Sequence, residues 1–133
     1  MIRDVHPRQE AQTLTRVILL VEDHFATRWA AGEYLRHVGF RVIEAVNVAE
    51  AKTILQTATH VDVVFSDINM PGAEDGYMLA QWLATHYPTL PTLLTSGEPE
   101  DSRAYSKSGL REFARKPYNL DAIVAVINRL LGT

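Results

Sequence analysis

Three carboxylates stand directly after aliphatic runs in the first half of the sequence. Glu22 and Asp23 follow the run 17–21, and Asp67 comes two positions after the run 61–65. Carboxylates that converge repel one another and raise one another's pKa, so a shared cation would stabilise them. Mg²⁺ prefers oxygen ligands and uses one or two carboxylates together with water. Taken singly, Asp23 or Asp67 is equally well explained as a residue of a turn or helix cap, but jointly they indicate a magnesium site.

A hydroxyl and an ammonium group follow two later runs. Ser96, with Gly97 behind it, ends the run 92–95, and Lys116 precedes Pro117 after a weaker run at 111–114. Alone, the serine would be a helix cap and the lysine a solvated surface residue. Together with the carboxylates they are the groups that stabilise a phosphoryl group in transit. Because a carboxylate can itself be the nucleophile, Asp67 is the central candidate for an aspartyl phosphate.

The runs themselves predict the strands that must position these side chains. Nearly continuous aliphatic and β-branched runs suit strands buried on both faces of a parallel sheet. Such runs occur at 17–21, 40–43, 61–65, 92–95 and 111–114.

Between the strands, apolar residues recur at helical spacing. Asn47 and Asn119 are predicted to cap two of these helices, and Gly39 to end the first. A segment at about 98–108, with the single aromatic Tyr105, is assigned to a helix only from its place in the alternation. The predicted apolar faces are Ala30, Ala31, Tyr34, Leu35 and Val38; Val48, Ala51, Ile54 and Leu55; Met78, Leu79, Trp82 and Leu83; and Ile123, Val126, Ile127, Leu130 and Leu131.

Five alternations of strand and helix predict an α/β doubly wound domain with a five-stranded parallel sheet. In such sheets ligands bind outside the carboxyl ends of the strands, where the polar residues above are expected to meet. Residues 1–14 are polar and aperiodic, so we expect an N-terminal tail, with a short extra helix as the alternative, followed by one domain over 15–133. That length supports a core of its own.

Composition excludes several classes of function. The net charge of -3 gives no reason to expect a nucleic acid partner. The chain has no cysteine, which excludes disulfides, a thiolate zinc site and a cysteine nucleophile. The N-terminus lacks the apolar stretch of a secretory signal, and no run has the roughly 20 apolar residues of a membrane span. We therefore expect a soluble, cytoplasmic protein without a membrane partner.

The sequence resembles the receiver domain of bacterial response regulators from about residue 16 to residue 131. Each matching segment alone is weak, but their order and spacing are highly specific. The segments are VILLVED at 17–23, VVFSDINMPG at 63–72, DGYMLA at 75–80, LPTLLTSG at 90–97 and FARKPY at 113–118. The resemblance implies a flavodoxin-like (βα)5 fold with strand order 2-1-3-4-5.

The resemblance also implies a role for each residue of the acidic cluster. Asp67 matches the phosphoacceptor and Asp23 a direct Mg²⁺ ligand. Glu22 matches a ligand that acts mainly through water, and the backbone carbonyl of Asn69 completes the metal ligands of the protein. Lys116 matches the lysine that pairs with the phosphoryl group.

Further matches concern the switch and the lifetime of the phosphorylated state. Ser96 matches the hydroxyl that binds a phosphoryl oxygen, although threonine is frequent there. Phe113 matches the aromatic that turns inward on activation; tyrosine is common at this position, so a switch through a phenolic hydroxyl is lost, and a plain core aromatic is the alternative. Asn69 and Glu98 stand where the family tunes hydrolysis of the aspartyl phosphate. The loop 71–76 is one residue longer than in the shortest receivers.

The implied partners are a sensor histidine kinase or a histidine phosphotransfer protein as donor, and a downstream target protein. The output surface would include parts of 105–108 and the helix from Asn119, and it offers one route to a homodimer through the last two helices and the fifth strand. The chain ends just after its last helix, so output by binding is expected, unless the chain is a fragment of a longer protein.

Two other classes of function remain open. A Mg²⁺-dependent phosphatase also passes through an aspartyl phosphate, but it needs a substrate pocket, and its nucleophile is expected after the first strand. An interaction module that is never phosphorylated would not need the complete set of site residues. Neither fits as well as a receiver, which catalyses only its own phosphotransfer and autodephosphorylation.

Overall fold

Five parallel strands form one sheet in this computed structural model, which describes residues 15–97 and 110–133. The strands are β1 Val17–Val21, β2 Arg41–Ala45, β3 Val63–Asp67, β4 Thr92–Ser96 and β5 Arg111–Arg115. Their order in the sheet is β2-β1-β3-β4-β5. This confirms the flavodoxin-like fold and the 2-1-3-4-5 order. The predicted tail at 1–14 and the predicted helix at 98–108, with Glu98 and Tyr105, lie outside the described residues.

The third strand begins and ends two residues later than its apolar run predicts. Asp62 precedes the strand, and its carboxylate accepts a hydrogen bond of 2.8 Å from the backbone N–H of Val17. At the other end, Ser66 pairs with Val21 and Asp67 pairs with Thr95. Strand pairing uses backbone groups and does not depend on side-chain polarity. The polar residues Ser66 and Asp67 are therefore part of β3.

Helices lie between the strands and begin at side-chain caps. They are α1 Phe25–His37, α2 Val48–Gln56, α3 Gly76–His86 and α4 Leu120–Leu131. The predicted caps are confirmed: Asn47 accepts from the N–H of Glu50 at 2.8 Å, and Asn119 accepts from the N–H of Asp121 at 2.7 Å. Within the described ranges, no helix is long and apolar enough to cross a membrane.

The core lies on both faces of the sheet. Ile18 and Leu20 of β1 point to one face, and Leu19 and Val21 point to the other. All five residues of β1, β3 and β4 are buried, whereas β5 at the edge is half-buried. Each of the three central strands, β1, β3 and β4, thus pairs with a strand on either side, and hydrophobic clusters cover both faces of the sheet.

Two helix faces differ from those predicted. Met78 is 47% exposed and Val38 is 41% exposed, and Ala30 is exposed as well. The buried face of α3 consists of Gly76, Leu79, Ala80 and Leu83. Small residues on this face let the helix approach the sheet closely, which turns Met78 toward solvent. The prediction that these three residues belong to the core was wrong.

Adjacent residues on α3 provide a matched test of this packing. Leu79→Ala should lower the free energy of unfolding by about 2–5 kcal/mol, because Leu79 is fully buried and a cavity would remain. Met78→Ala should cost about 0.5 kcal/mol or less. Urea denaturation of both variants measures the difference. Equal losses would contradict the observed orientation of the helix.

Candidate functional site

The end of β1 brings Glu22 and Asp23 to the carboxyl edge of the sheet. Glu22 is only 4% exposed, and its backbone N–H donates to the carbonyl of Ala45 at 3.0 Å. Its Oε2 accepts from the backbone N–H of His24 at 3.1 Å. Asp23, in contrast, is exposed. One carboxylate is therefore fixed and buried, and its neighbour faces solvent.

The end of β3 places Asp67 between the two adjacent strands. Asp67 is 7% exposed, and Gly76 of α3 lies against its backbone. A Cβ atom added to Gly76 would come within 2.4 Å of the Asp67 carbonyl oxygen and 2.6 Å of the Ile68 Cα. The N–H of Gly76 also donates to the carbonyl of Ile68 at 2.8 Å. Close helix packing therefore defines where Asp67 lies.

The loop after β5 brings a cation to these carboxylates. The Nζ of Lys116 lies 3.2 Å from Asp67 Oδ2 and 3.7 Å from Glu22 Oε1. The backbone N–H of Lys116 donates to the carbonyl of Ser96 at 2.9 Å, which ties this loop to β4. The peptide bond between Lys116 and Pro117 is cis. Lys116 and Asp67 therefore lie in contact at the carboxyl edge of the sheet, as the sequence predicts.

Glu22, Asp23 and Asp67 together form a set of oxygen ligands suited to a hard cation. Each offers a carboxylate oxygen, and these atoms lie within 4.8 Å of one another. The Oδ1 atom of Asp67 is buried and accepts no hydrogen bond from any part of the chain that the structure describes. A buried acceptor without a partner is costly, and a cation would satisfy it. The site therefore fits Mg²⁺, which takes oxygen ligands and keeps several waters.

Burial governs the electrostatics of the cluster. It raises the pKa of Asp67 above its ordinary value of 3.8, although Lys116 and the backbone N–H of Asn69 act in the opposite direction. It also raises the pKa of Glu22, against the effects of the His24 amide and Lys116. Burial, helped by the charges of Glu22 and Asp67, raises the pKa of Tyr118 to about 12. The site thus carries a cost of desolvated negative charge that Lys116 offsets only in part.

The remaining predicted site residues surround this cluster. Ser96 is fully buried, and its Oγ accepts from the side-chain amide of Asn69 at 3.3 Å. Phe113 is half-buried on β5, pairs in register with Leu94 and packs against the small cluster that contains Ile68. Glu98 lies outside the described residues. The structure therefore places Ser96 and Asn69 in contact, and Phe113 within the packing of β4 and β5.

Sequence reasoning missed two residues that define the site. Gly76 lies within the matched segment DGYMLA, but a close backbone approach leaves no signal beyond the residue type itself. Tyr118 follows Lys116 and Pro117, and its ring contacts Phe65 at a centroid distance of 5.9 Å. An aromatic residue two positions after the site lysine was the available signal.

The contact between Gly76 and Asp67 predicts a large effect of adding one methyl group. Gly76→Ala should lower the free energy of unfolding by about 1–3 kcal/mol or more, because the atoms it meets belong to the backbone and cannot rotate away. Gly97→Ala is the control, since apart from its chain neighbours no atom of the described residues lies within 4 Å of its added Cβ. Thermal denaturation followed by circular dichroism compares the two. A Gly76→Ala variant as stable as Gly97→Ala would contradict the close approach.

The raised pKa of Asp67 predicts the sign of a pH effect on stability. The folded chain binds the Asp67 proton more tightly than the unfolded chain, so this favourable contribution is complete below the ordinary value of 3.8 and is lost as pH rises through the raised one. Asp67→Asn cannot ionise. Without divalent cations, its stability relative to wild type should increase from acid toward neutral pH and then level off.

Urea denaturation at a series of pH values measures that difference, in which the other titrating groups largely cancel. An advantage of Asp67→Asn that shrinks as pH rises would mean that the attraction of Lys116 outweighs burial. In that case Lys116 would neutralise the Asp67 carboxylate without the help of a cation.

Comparison with known proteins agrees with this geometry. The family model described as response regulator receiver domain matches residues 18–128. The probable transcriptional regulator ycf29 of Cyanophora paradoxa is 33% identical over 86% of this chain and 56% of its own length. Response regulator protein FleR of Pseudomonas aeruginosa is 34% identical over 84% of this chain and 24% of its own. The chain thus spans little more than half the length of the first relative and about a quarter of the length of the second.

A solved structure supports the same assignment. The signal receiver domain of a signal transduction histidine kinase from Syntrophus aciditrophicus superposes with a TM-score of 0.79 at 29% identity. The match covers 89% of this chain and 91% of that one. The fold, the residues at the sheet edge and the family match lead to one assignment: this chain belongs to the response regulator receiver domains of two-component signalling systems.

Proposed function

We propose that Asp67 accepts a phosphoryl group from a phosphohistidine donor and that Mg²⁺ assists the transfer. The observation that carries the proposal is the environment of Asp67. One of its oxygens faces Lys116 at 3.2 Å, and the other is buried without a partner among the described residues. A carboxylate held in this way is oriented and incompletely neutralised. Such a group is suited to bind both a cation and an incoming phosphoryl group.

The transfer exchanges one bond to phosphorus for another. An oxygen of Asp67 forms a bond to phosphorus while the bond from phosphorus to the donor imidazole nitrogen breaks, and the imidazole takes up a proton. Mg²⁺, when bound by Glu22, Asp23, Asp67 and the carbonyl of Asn69, would neutralise the charge on the phosphoryl oxygens. Lys116 supplies a second positive charge from the protein itself. This is catalysis by positioning and charge, the usual mode for phosphoryl transfer.

The response to phosphorylation involves Ser96 and Phe113. The buried hydroxyl of Ser96 would turn from the Asn69 amide to a phosphoryl oxygen, and this shift biases the packing of Phe113 on β5. A two-state element moves only by the differential affinity of the two states for the phosphoryl group. Asn69, and Glu98 in the undescribed segment, would set the rate of autodephosphorylation.

The proposed partners follow from this chemistry. A sensor histidine kinase or a histidine phosphotransfer protein supplies the phosphoryl group, and a target protein reads the altered surface. The output surface includes α4 and β5 and is also the proposed surface of a homodimer. We place the protein in the cytoplasm, with residues 15–133 as the receiver domain after a tail at 1–14. No feature of the described surface suggests nucleic acid as the partner of this domain.

Phosphorylation from a small donor provides the direct test. Wild type incubated with acetyl phosphate and Mg²⁺ should gain one phosphoryl group by intact mass, and beryllofluoride with Mg²⁺ should change the fluorescence of Trp29 or Trp82. Asp67→Asn should do neither. Glu33→Gln, which removes an exposed carboxylate of α1, is the control and should behave as wild type.

Each other outcome assigns a different function. A wild type that gains no phosphoryl group, or an Asp67→Asn variant that gains one equally, would reject Asp67 as phosphoacceptor. The first result would favour an interaction module that is not phosphorylated. Repeated turnover of an added phosphomonoester would instead identify a phosphatase.

A further inference from the structure

Arg28 lies one turn into α1, behind the acidic cluster, and contacts the main chain of the site. Its side chain is 13% exposed. Its Nη1 donates to the backbone carbonyl of Glu22 at 2.9 Å, and its Nε donates to Oε1 of Glu44 at 3.1 Å. Glu44 is on β2, so the guanidinium joins this strand to the end of β1. Nothing in the chemistry proposed above uses this residue.

The carboxylate of Glu44 is itself held by a second arginine. Its second carboxylate oxygen accepts from Nη2 of Arg36 at 2.9 Å. Gly32 leaves the room for this pair, since an added Cβ would lie 3.3 Å from the Glu44 oxygen and 3.2 Å from the Arg36 guanidinium. Two arginines thus hold one carboxylate, which in turn holds the fork of Arg28. Arginine is suited to this role because its donors have fixed relative positions.

The Glu22 carbonyl that Arg28 binds belongs to the same peptide plane as the amide nitrogen of Asp23. A peptide unit is rigid, so fixing the carbonyl fixes the direction in which the Asp23 backbone leaves it. The N–H of Glu22 is already held by Ala45 of β2 at 3.0 Å. Both backbone polar groups of Glu22 are therefore linked to β2. Its N–H bonds Ala45 directly, and its carbonyl is linked through Arg28 to Glu44.

Asp23 depends on this arrangement more than the other two carboxylates do. Glu22 and Asp67 are buried and packed, whereas Asp23 is exposed. Among the described residues, no hydrogen bond fixes its carboxylate. Its backbone is the available means of orienting it toward the cation site.

We propose that Arg28, anchored by Glu44, is a positioning residue that orients the Glu22–Asp23 peptide and so presets the divalent cation site. The inference rests on the proposed function, because it concerns the Mg²⁺ that assists transfer to Asp67. Residues that orient metal ligands typically change metal affinity by about 10–100-fold when they are removed. Arg28 should fall in that range, at the lower end because it acts on one ligand.

Charge alone gives the opposite expectation, which makes the test decisive. Removal of a positive charge near an acidic cluster should strengthen the binding of a cation. Loss of positioning should weaken it. The sign of the change in affinity therefore separates the two effects of Arg28.

The experiment measures Mg²⁺ binding to the unphosphorylated chain by isothermal titration calorimetry. Arg28→Met should weaken binding about tenfold or more. Arg28→Lys should weaken it less, since one ammonium keeps the charge but not the fork. Arg36→Met is the matched control: it removes a positive charge from the same carboxylate but leaves the bonds of Arg28 to Glu22 and Glu44 in place, so its affinity should stay much closer to that of wild type than the affinity of Arg28→Met does.

A second measurement needs no metal. The Asp23 amide belongs to the peptide that Arg28 contacts, so its NMR signal in the metal-free protein should shift or broaden in Arg28→Met and change much less in Arg36→Met. Mg²⁺ binding by Arg28→Met that is as tight as that of wild type, or tighter, would overturn the inference. If Arg28→Met loses its native circular dichroism, Arg28→Lys decides by the same criterion.

The two proposals fail in different ways. If wild type neither binds Mg²⁺ nor gains a phosphoryl group, the proposed function is wrong and this inference falls with it. If wild type does both and the Arg28 variants match it, the inference alone is wrong.

Discussion

The attraction between Lys116 and Asp67 is the interaction on which the rest of this site depends. Three carboxylates converge at the carboxyl edge of the sheet, and two of them are buried. Such a group of like charges destabilises a fold unless cations balance it. Lys116 balances one charge at 3.2 Å and still leaves the pKa of both Asp67 and Glu22 raised. The fold therefore maintains a deficit of positive charge at its functional edge.

Several parts of the fold serve to keep that deficit in place. The parallel sheet brings the ends of β1, β3 and β4 together, and the backbone bond from Lys116 to Ser96 fixes the fourth contributor. Gly76 allows α3 to pack against the carbonyl of Asp67. Arg28 and Glu44 hold the main chain of Glu22 from the far side. The charged groups come from three separate parts of the sequence, at 22–23, 67 and 116, and each part is held by a different kind of contact.

The sequence alone predicted the strands and the residues at their ends, because buried parallel strands leave long apolar runs and their carboxyl ends must share an edge. It did not predict the distances between those residues, nor which carboxylate is buried. The division of roles between Glu22 and Asp23 came from the family resemblance. Those roles remain predictions, since the geometry establishes proximity and not phosphorylation.

The errors and omissions have definite physical causes. Hydrophobic periodicity predicts a buried Met78, but α3 packs against the sheet partly through the small residues Gly76 and Ala80, and Met78 stays exposed. Arg28 was missed because its partners are a backbone carbonyl and a residue 16 positions away. No periodic pattern records such contacts. They depend on where β2 lies beside β1, which only the assembled sheet determines.

The burial of the strands has a mechanical consequence. β3 is fully buried and paired on both sides, while β5 is half-buried and has a strand on only one side. The other edge strand, β2, is likewise largely half-buried and has a strand on only one side. Packing therefore restrains the sheet most at its centre, around Asp67, and least at its two edges. Phe113 lies on one of these edges, where its side chain is less confined than a side chain of β1 or β4.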